Sequence, residues 1–237
     1  MSASGALILA RCIGFVSRAP GFSHPSVPAP VRAAFAFVLA LACAHGRHDA
    51  SMPWAAFVPA CFVELLLGAA IGMAASALYD GAYSGGRLVD DYVGIRISVP
   101  TAGIVAGAGF GRLWSLVFTA MYFILGAHRT VLRVFGETFA TLPPGSAVVE
   151  SFGDTILTIP MLLLRASLLI ATPALGVALI AQVALGALAR IVPRFATFPL
   201  TFPIALGCAI LATVVTLPAM LFVAGRPWML LGRLTLR

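Results

Sequence analysis

The sequence predicts an all-α membrane protein of about six to eight hydrophobic helices, set in helical hairpins with kinked or broken helices and one Gly-rich loop. Three observations carry that prediction. Of the 237 residues, 61% are hydrophobic and 10% are charged, against about a quarter charged in an ordinary soluble domain. Between Arg165 and Arg190 lie 24 residues without a charge, and between Arg194 and Arg226 lie 31 more. Roughly 20 apolar residues cross a bilayer core as a helix, so both runs are long enough, whereas a helix on a soluble surface keeps a polar face toward water. The joint Arg190-Ile191-Val192-Pro193-Arg194 stops one helix and starts the next, because proline lacks an N–H and disfavours a helical residue before it. Residues 159–225 therefore read as the C-terminal helical hairpin of a single membrane domain covering 1–237.

The other segments follow in order. Segment one, 5–22, is apolar with Arg11 inside it, and Pro20-Gly21-Phe22-Ser23, Pro28 and Pro30 mark the turn after it. It lacks a basic start followed by an A-x-A site, so the chain is expected to keep its N-terminus. Segment two, 31–45, opens with Arg32 and has only 12 residues before His45. That is short for a span and calls for snorkelling ends or shielding by neighbouring protein. His45-Gly46-Arg47-His48-Asp49 contains metal-ligating residue types, but a solvated loop accounts for it and no metal site is expected.

Segment three, 53–79, contains Glu64. A carboxylate at membrane depth is costly, so it faces protein or water or neutralises itself. An interhelical hydrogen bond and a proton-linked role both stay open for it. Gly68 and Gly72, four and eight residues on, share its helix face, where small residues let another helix come close. Asp80, Arg87, Asp90, Asp91 and Arg96 then form the most charged region. Residues 98–111 are uncharged and rich in glycine, each interior glycine costing a helix about 1 kcal/mol. Such backbone cannot sit uncovered in lipid, so it is buried in protein or lines an aqueous cavity. Segment four, 113–127, is uncharged and ends at His128, Arg129 and Arg133. An amphipathic helix over 130–139 stops at Leu142-Pro143-Pro144-Gly145-Ser146. Residues 147–158 start segment five, 159–189, with Arg165 one turn inside and Pro173 as a kink point. Segment six, 195–225, holds Pro199, Pro203 and Pro218.

Several function classes are excluded. The net charge of +7 comes from 15 scattered basic residues, all arginine. That suits lipid headgroups or acidic partners and offers no basic stripe for nucleic acid. Cys12, Cys43, Cys61 and Cys208 sit in apolar stretches without a CxxC, and read as small buried hydrophobes. Four histidines and eight carboxylates form no catalytic set: there is no GxSxG, HExxH, GxGxxG or Gly-Lys-Ser/Thr. His128 beside Arg129 lacks the partners for acyl or phosphoryl transfer. No enzyme, cofactor or metal is expected. Counting arginines on the two sides of the six segments gives seven against six, so the positive-inside rule sets no topology. A protein whose apolar surface is buried mainly against partner subunits has this pattern.

Four motifs in order resemble one family over nearly the whole chain. Ala10-Arg11, Pro20-Gly21-Phe22-Ser23 and Val27-Pro28-x-x-Val31-Arg32 resemble the N-terminal pattern of the type III secretion export-apparatus T subunit (SctT) and its flagellar counterpart FliR. Glu64-x-x-x-Gly68-x-x-x-Gly72 resembles the family's third-segment motif. Gly126-Ala127-His128, with Thr138-Phe139 and Leu142-Pro143-Pro144-Gly145, is similar to its Gly-x-His…Ser-Phe…Pro-x-Gly stretch. Leu185-Gly186 through Ala189-Arg190-x-x-Pro193, then Phe198 and Phe202-Pro203, is similar to its C-terminal hairpin. Departures are Arg194 and Ala196, where the family has Gln and Asn, and Ile204-Ala205 after Pro203, where a basic residue is common. Gly86-x-Leu88-Val89-Asp90-Asp91-x-x-Gly94 is closer to the injectisome version and Gly126-Ala127-His128 to the flagellar one, with the injectisome slightly favoured.

The resemblance implies a subunit of a protein-export gate in the bacterial inner membrane, multipass or partly raised toward the periplasm. Its implied partners are the P/R-type and Q/S-type subunits, the large export-gate subunit and the switch/autoprotease subunit. Unfolded secreted proteins would be the substrates. By position, the resemblance also implies a pore plug at about 97–112, with Ile97, Val99, Pro100, Ile104, Val105 and Phe110 as its apolar residues; an ordinary lipid-shielded connector remains the other reading. The competing function is a self-contained solute transporter, which predicts a polar site at the midplane, hinted at only by Glu64 and Arg165.

Overall fold

The computed structural model describes residues 3–23, 27–44, 53–94, 109–146, 150–191, 202–215 and 217–218. Among these there are seven helices: α1 (Ala3–Arg18), α2 (Ala29–Ala44), α3 (Trp54–Val93), α4 (Phe110–Ile124), α5 (Ala127–Thr141), α6 (Glu150–Ile191) and α7 (Phe202–Val215). The all-helical class and the helix number agree with the sequence-based expectation.

Local chemistry sets most helix ends. α1 stops before Ala19-Pro20, where proline restricts the residue ahead of it. The Pro28 carbonyl takes the N–H groups of Val31 and Arg32 at the start of α2, and Pro30 sits in the first turn, where its missing N–H is not needed. α3 ends on Gly94 at φ +87°, whose N–H reaches the Asp90 carbonyl at 3.0 Å, a left-handed C-terminal cap that glycine adopts without strain.

α3 and the Ser167–Leu188 part of α6 are long and apolar enough to cross a membrane. The α4–α5 pair passes the same test but bends by 72°, at Leu125-Gly126, with Gly126 at φ +72°. The 16 residues of α2 span only about 24 Å, short of a ~30 Å core.

Two departures from the expected boundaries have physical causes. Segment three was expected to end near 79, yet α3 runs 40 residues to Val93. Gly85 and Gly86, weak helix formers beyond that point, are buried in close packing: a Cβ on Gly85 would lie 2.7 Å from the Ser167 carbonyl oxygen, and one on Gly86 would lie 2.5 Å from the Gly111 Cα. Tertiary contact outweighs the weak helix propensity. α4 begins at Phe110, inside the stretch expected to be loop, because Asp90 caps it.

The described residues fall into two compact units. One comprises those of Met1–Ala77 and Tyr122–Leu162, with Leu7, Ile8, Phe15, Leu67, Phe135 and Phe139 among its buried apolar side chains and Phe15 stacked on Phe135 at 4.2 Å. The other comprises those of Leu78–Met121 and Leu163–Arg226. Its core gathers Val89, Phe110, Trp114, Phe118, Ile170 and Ala209 around small alanines.

Candidate functional site

The first unit is built around a buried ion pair. Arg11, midway along α1, and Glu64, in the first half of α3, are both 0% exposed. The Arg11 guanidinium grips the carboxylate with both edges of its fork: Nε donates to Glu64 Oε2, and Nη2 donates to Oε1 at 3.0 Å. Such a planar two-point match is available to arginine and not to lysine. The pair also holds a third element. Arg11 Nη1 donates to the Thr138 carbonyl at 3.2 Å and Nη2 to the Leu142 carbonyl at 3.0 Å. These oxygens lie at the C-terminal end of α5; that of Thr138 also accepts the Leu142 N–H at 2.9 Å, while that of Leu142 lies just past the helix, where carbonyls lack an intrahelical partner. Glu64 Oε1 in turn accepts the Gly145 N–H at 2.9 Å. The Phe139 ring lies beneath the guanidinium, 4.4 Å from Cζ to centroid, a cation–π contact.

Thus the cation serves the Leu142 carbonyl and the anion the Gly145 amide of one turn, Leu142-Pro143-Pro144-Gly145. Two prolines stiffen that turn, and Gly145 adopts φ +84°, a conformation that a Cβ disfavours. What this arrangement does chemically is fix geometry. Every charged atom described in it is engaged by protein, and α1, α3 and the end of α5 are locked to a common point.

Close helix approach makes the ion pair possible. A Cβ on Gly68 would sit 1.9 Å from the Arg11 carbonyl oxygen, and one on Gly72 would sit 2.6 Å from that of Phe15. Positions along α1 and α3 rise together at these contacts, so the two helices run parallel with their backbones touching.

In the second unit Asp90, 3% exposed, spans the Gly-rich stretch from its far side. Its Oδ1 and Oδ2 accept the N–H groups of Phe110 at 2.7 Å and Gly111 at 3.1 Å. These are the first, unsatisfied donors of α4, and a carboxylate is favoured at that positive helix end. Removing this cap by Asp90→Ala is expected to cost about 1–2 kcal/mol, read as a lowered unfolding midpoint in detergent; an unchanged midpoint would refute the cap's contribution.

The remaining residues singled out from the sequence are placed as follows. Arg32 Nε donates to the Val27 carbonyl at 3.1 Å, closing the α1–α2 turn. Gly126 forms the α4–α5 bend. His128 packs beside Tyr122 and Phe123, with centroids at 6.2 and 5.4 Å, and its Nδ1 meets no hydrogen-bond partner among the described residues. Pro143 and Gly145 belong to the turn held by Arg11 and Glu64, while Arg190 is exposed in the last turn of α6. Phe110 heads α4 in the core of its unit. Ile97, Val99, Pro100, Ile104, Val105 and Pro193 lie outside the described residues. Among the described residues no group of His, Cys, Asp and Glu could hold a metal ion.

The sequence did not single out Arg11 as the partner of Glu64. The available signal was a lone cation in one apolar segment and a lone anion in another, since charges at membrane depth seek each other. Asp90 as the α4 cap had a fainter signal, a carboxylate and a helix start separated by a Gly-rich stretch of sequence.

Comparison with known proteins joins this geometry to a family. Over 218 residues the chain is 24% identical to the flagellar biosynthetic protein FliR of Escherichia coli (strain K12), covering 89% of this chain and 84% of that protein. It is 22% identical over 215 residues to the FliR of Aquifex aeolicus (strain VF5), covering 88% and 83%. The family model for bacterial export proteins, family 1, matches residues 3–229. That match takes in Arg11, Glu64, the Pro143-Pro144-Gly145 turn and both units, and on this ground the chain belongs to the bacterial export proteins, family 1.

Proposed function

We propose that this chain is a subunit of the inner-membrane export gate of a type III protein secretion apparatus, where it helps to form and plug the channel for unfolded protein substrates. The family match over residues 3–229 carries the reading. It is supported by apolar surface that the chain does not cover itself: Phe37, Val38 and Leu41 on the short α2, Ile180 and Val183 on α6, and Leu211 and Val214 on α7 are all exposed. Helices too short or too bent for a simple span gain from packing against neighbouring subunits of the same kind. The P/R-type and Q/S-type subunits are the proposed direct partners, with the large export-gate and switch/autoprotease subunits beyond them.

The test is purification of the tagged chain in mild detergent with mass spectrometry of what accompanies it. Two small hydrophobic subunits in fixed ratio are the expected result; a stable lone protein or a homo-oligomer would overturn the proposal and favour a solute transporter. Against that alternative, Glu64, its candidate midplane carboxylate, is already engaged by Arg11 and Gly145. Asp90-Asp91 favours the injectisome setting, while both relatives named above are flagellar. Loss of motility or loss of effector secretion in a deletion strain separates the two.

The Gly-rich stretch is the proposed plug, anchored on one side by Asp90 and Phe110. Deleting 97–108 leaves that anchor in place and is expected to let ions leak through the assembled complex. Unchanged membrane conductance in that mutant would remove the plug assignment.

A further inference from the structure

Far apart in the sequence, Cys12 and Cys43 are neighbours in the fold. α1 and α2, consecutive in the chain, pack together. Phe22 stacks on Phe35 with ring centroids 4.2 Å apart, which sets the register near the turn. Cys12 lies ten residues back from Phe22, and Cys43 lies eight residues on from Phe35. Those steps lead back into α1 on one side and on along α2 on the other. The Cys12 and Cys43 side chains lie close enough to interact across the two helices. The two differ in access: Cys12 is 0% exposed, whereas Cys43 is partly exposed near the C-terminal end of α2.

We propose that Cys12 and Cys43 are a dithiol modification site that closes to an interhelix disulfide by exchange with an oxidant bearing a disulfide, small or proteinaceous, arriving at Cys43. Cys43 loses its proton and attacks one sulfur of the oxidant's S–S bond. A mixed disulfide forms, and the oxidant's other sulfur leaves as a thiolate that takes up a proton. Cys12 then loses its proton and attacks the Cys43 sulfur; the Cys12–Cys43 bond forms as the second oxidant thiolate departs and is protonated. The protein loses two electrons and two protons, and the oxidant's disulfide becomes two thiols. Burial dictates the order, since only Cys43 can meet the oxidant and only Cys12 is placed to resolve the intermediate. The product would tie α2 covalently to the helix carrying Arg11, the next residue to Cys12. Oxidation would thus brace the same helix that holds the Leu142–Gly145 turn.

The experiment uses the full-length protein in isolated membranes, incubated with oxidised glutathione, denatured, alkylated and mapped by mass spectrometry. The expected result is a peptide pair joined through Cys12 and Cys43 that dithiothreitol separates. In Cys12→Ser the reaction is expected to stop with glutathione on Cys43. In Cys43→Ser, Cys12 is expected to stay unmodified while the protein remains folded. Full alkylation of both thiols after oxidant, a link from Cys43 to Cys61 or between chains in place of the Cys12 link, or rapid glutathionylation of Cys12 in Cys43→Ser would each overturn the proposal.

Discussion

Glu64→Gln is expected to destabilise the folded protein by about 3–5 kcal/mol, because it leaves the Arg11 cation buried without its anion. Glutamine has nearly the same shape and can still offer an oxygen to the Gly145 N–H, so the loss isolates charge from packing. Arg11→Met should cost at least as much. It strands the Glu64 carboxylate and also removes the donor that Arg11 supplies to the Leu142 carbonyl. The double variant is expected to be less damaged than the sum of the two singles, since neither charge is then left alone. Denaturant unfolding in detergent, together with the amount of protein accumulating in membranes, measures all three. The informative contrary result is a Glu64→Gln protein of unchanged stability that assembles but exports slowly. That would show the carboxylate to be proton-linked and not a structural counterion.

Gly68→Ala should show the second large effect. The new Cβ would meet the Arg11 carbonyl oxygen at 1.9 Å and the Phe15 backbone nitrogen at 2.8 Å. These are main-chain atoms of a packed helix and cannot rotate aside. Overpacking of this kind costs about 1–3 kcal/mol, and the forced separation of α1 from α3 also pulls the guanidinium off the carboxylate. Gly136→Ala, inside α5, is the control: nothing lies within 4 Å of its added Cβ, so the usual glycine-to-alanine gain of roughly 0.5–1 kcal/mol is expected. Opposite shifts of the unfolding midpoint are predicted for the same chemical change. A Gly68→Ala protein as stable as the parent would show that the two backbones are not in contact.

Composition and periodicity alone determined that this chain is helical, apolar and rich in hairpins. Lipid-length runs without charge leave the backbone no alternative to internal hydrogen bonding. The turns at Pro20-Gly21 and Pro143-Pro144-Gly145 were legible for a similar reason, because proline and glycine act locally through φ and a missing N–H. The sequence also marked Glu64 as a carboxylate in need of a partner, and Gly68 and Gly72 as small residues on its face. It could not say which cation answers Glu64, since Arg11 lies 53 residues away and the pairing depends on how α1 crosses α3. Nor could it extend α3 past the glycines at 85 and 86, where contacts with Ser167 and Gly111 outweigh local propensity. The joint service of Arg11 and Glu64 to one turn after α5 is likewise a tertiary fact. Local sequence states what each segment can bury; only the packed helices decide which buried charge meets which, because that depends on distances between residues remote in the chain.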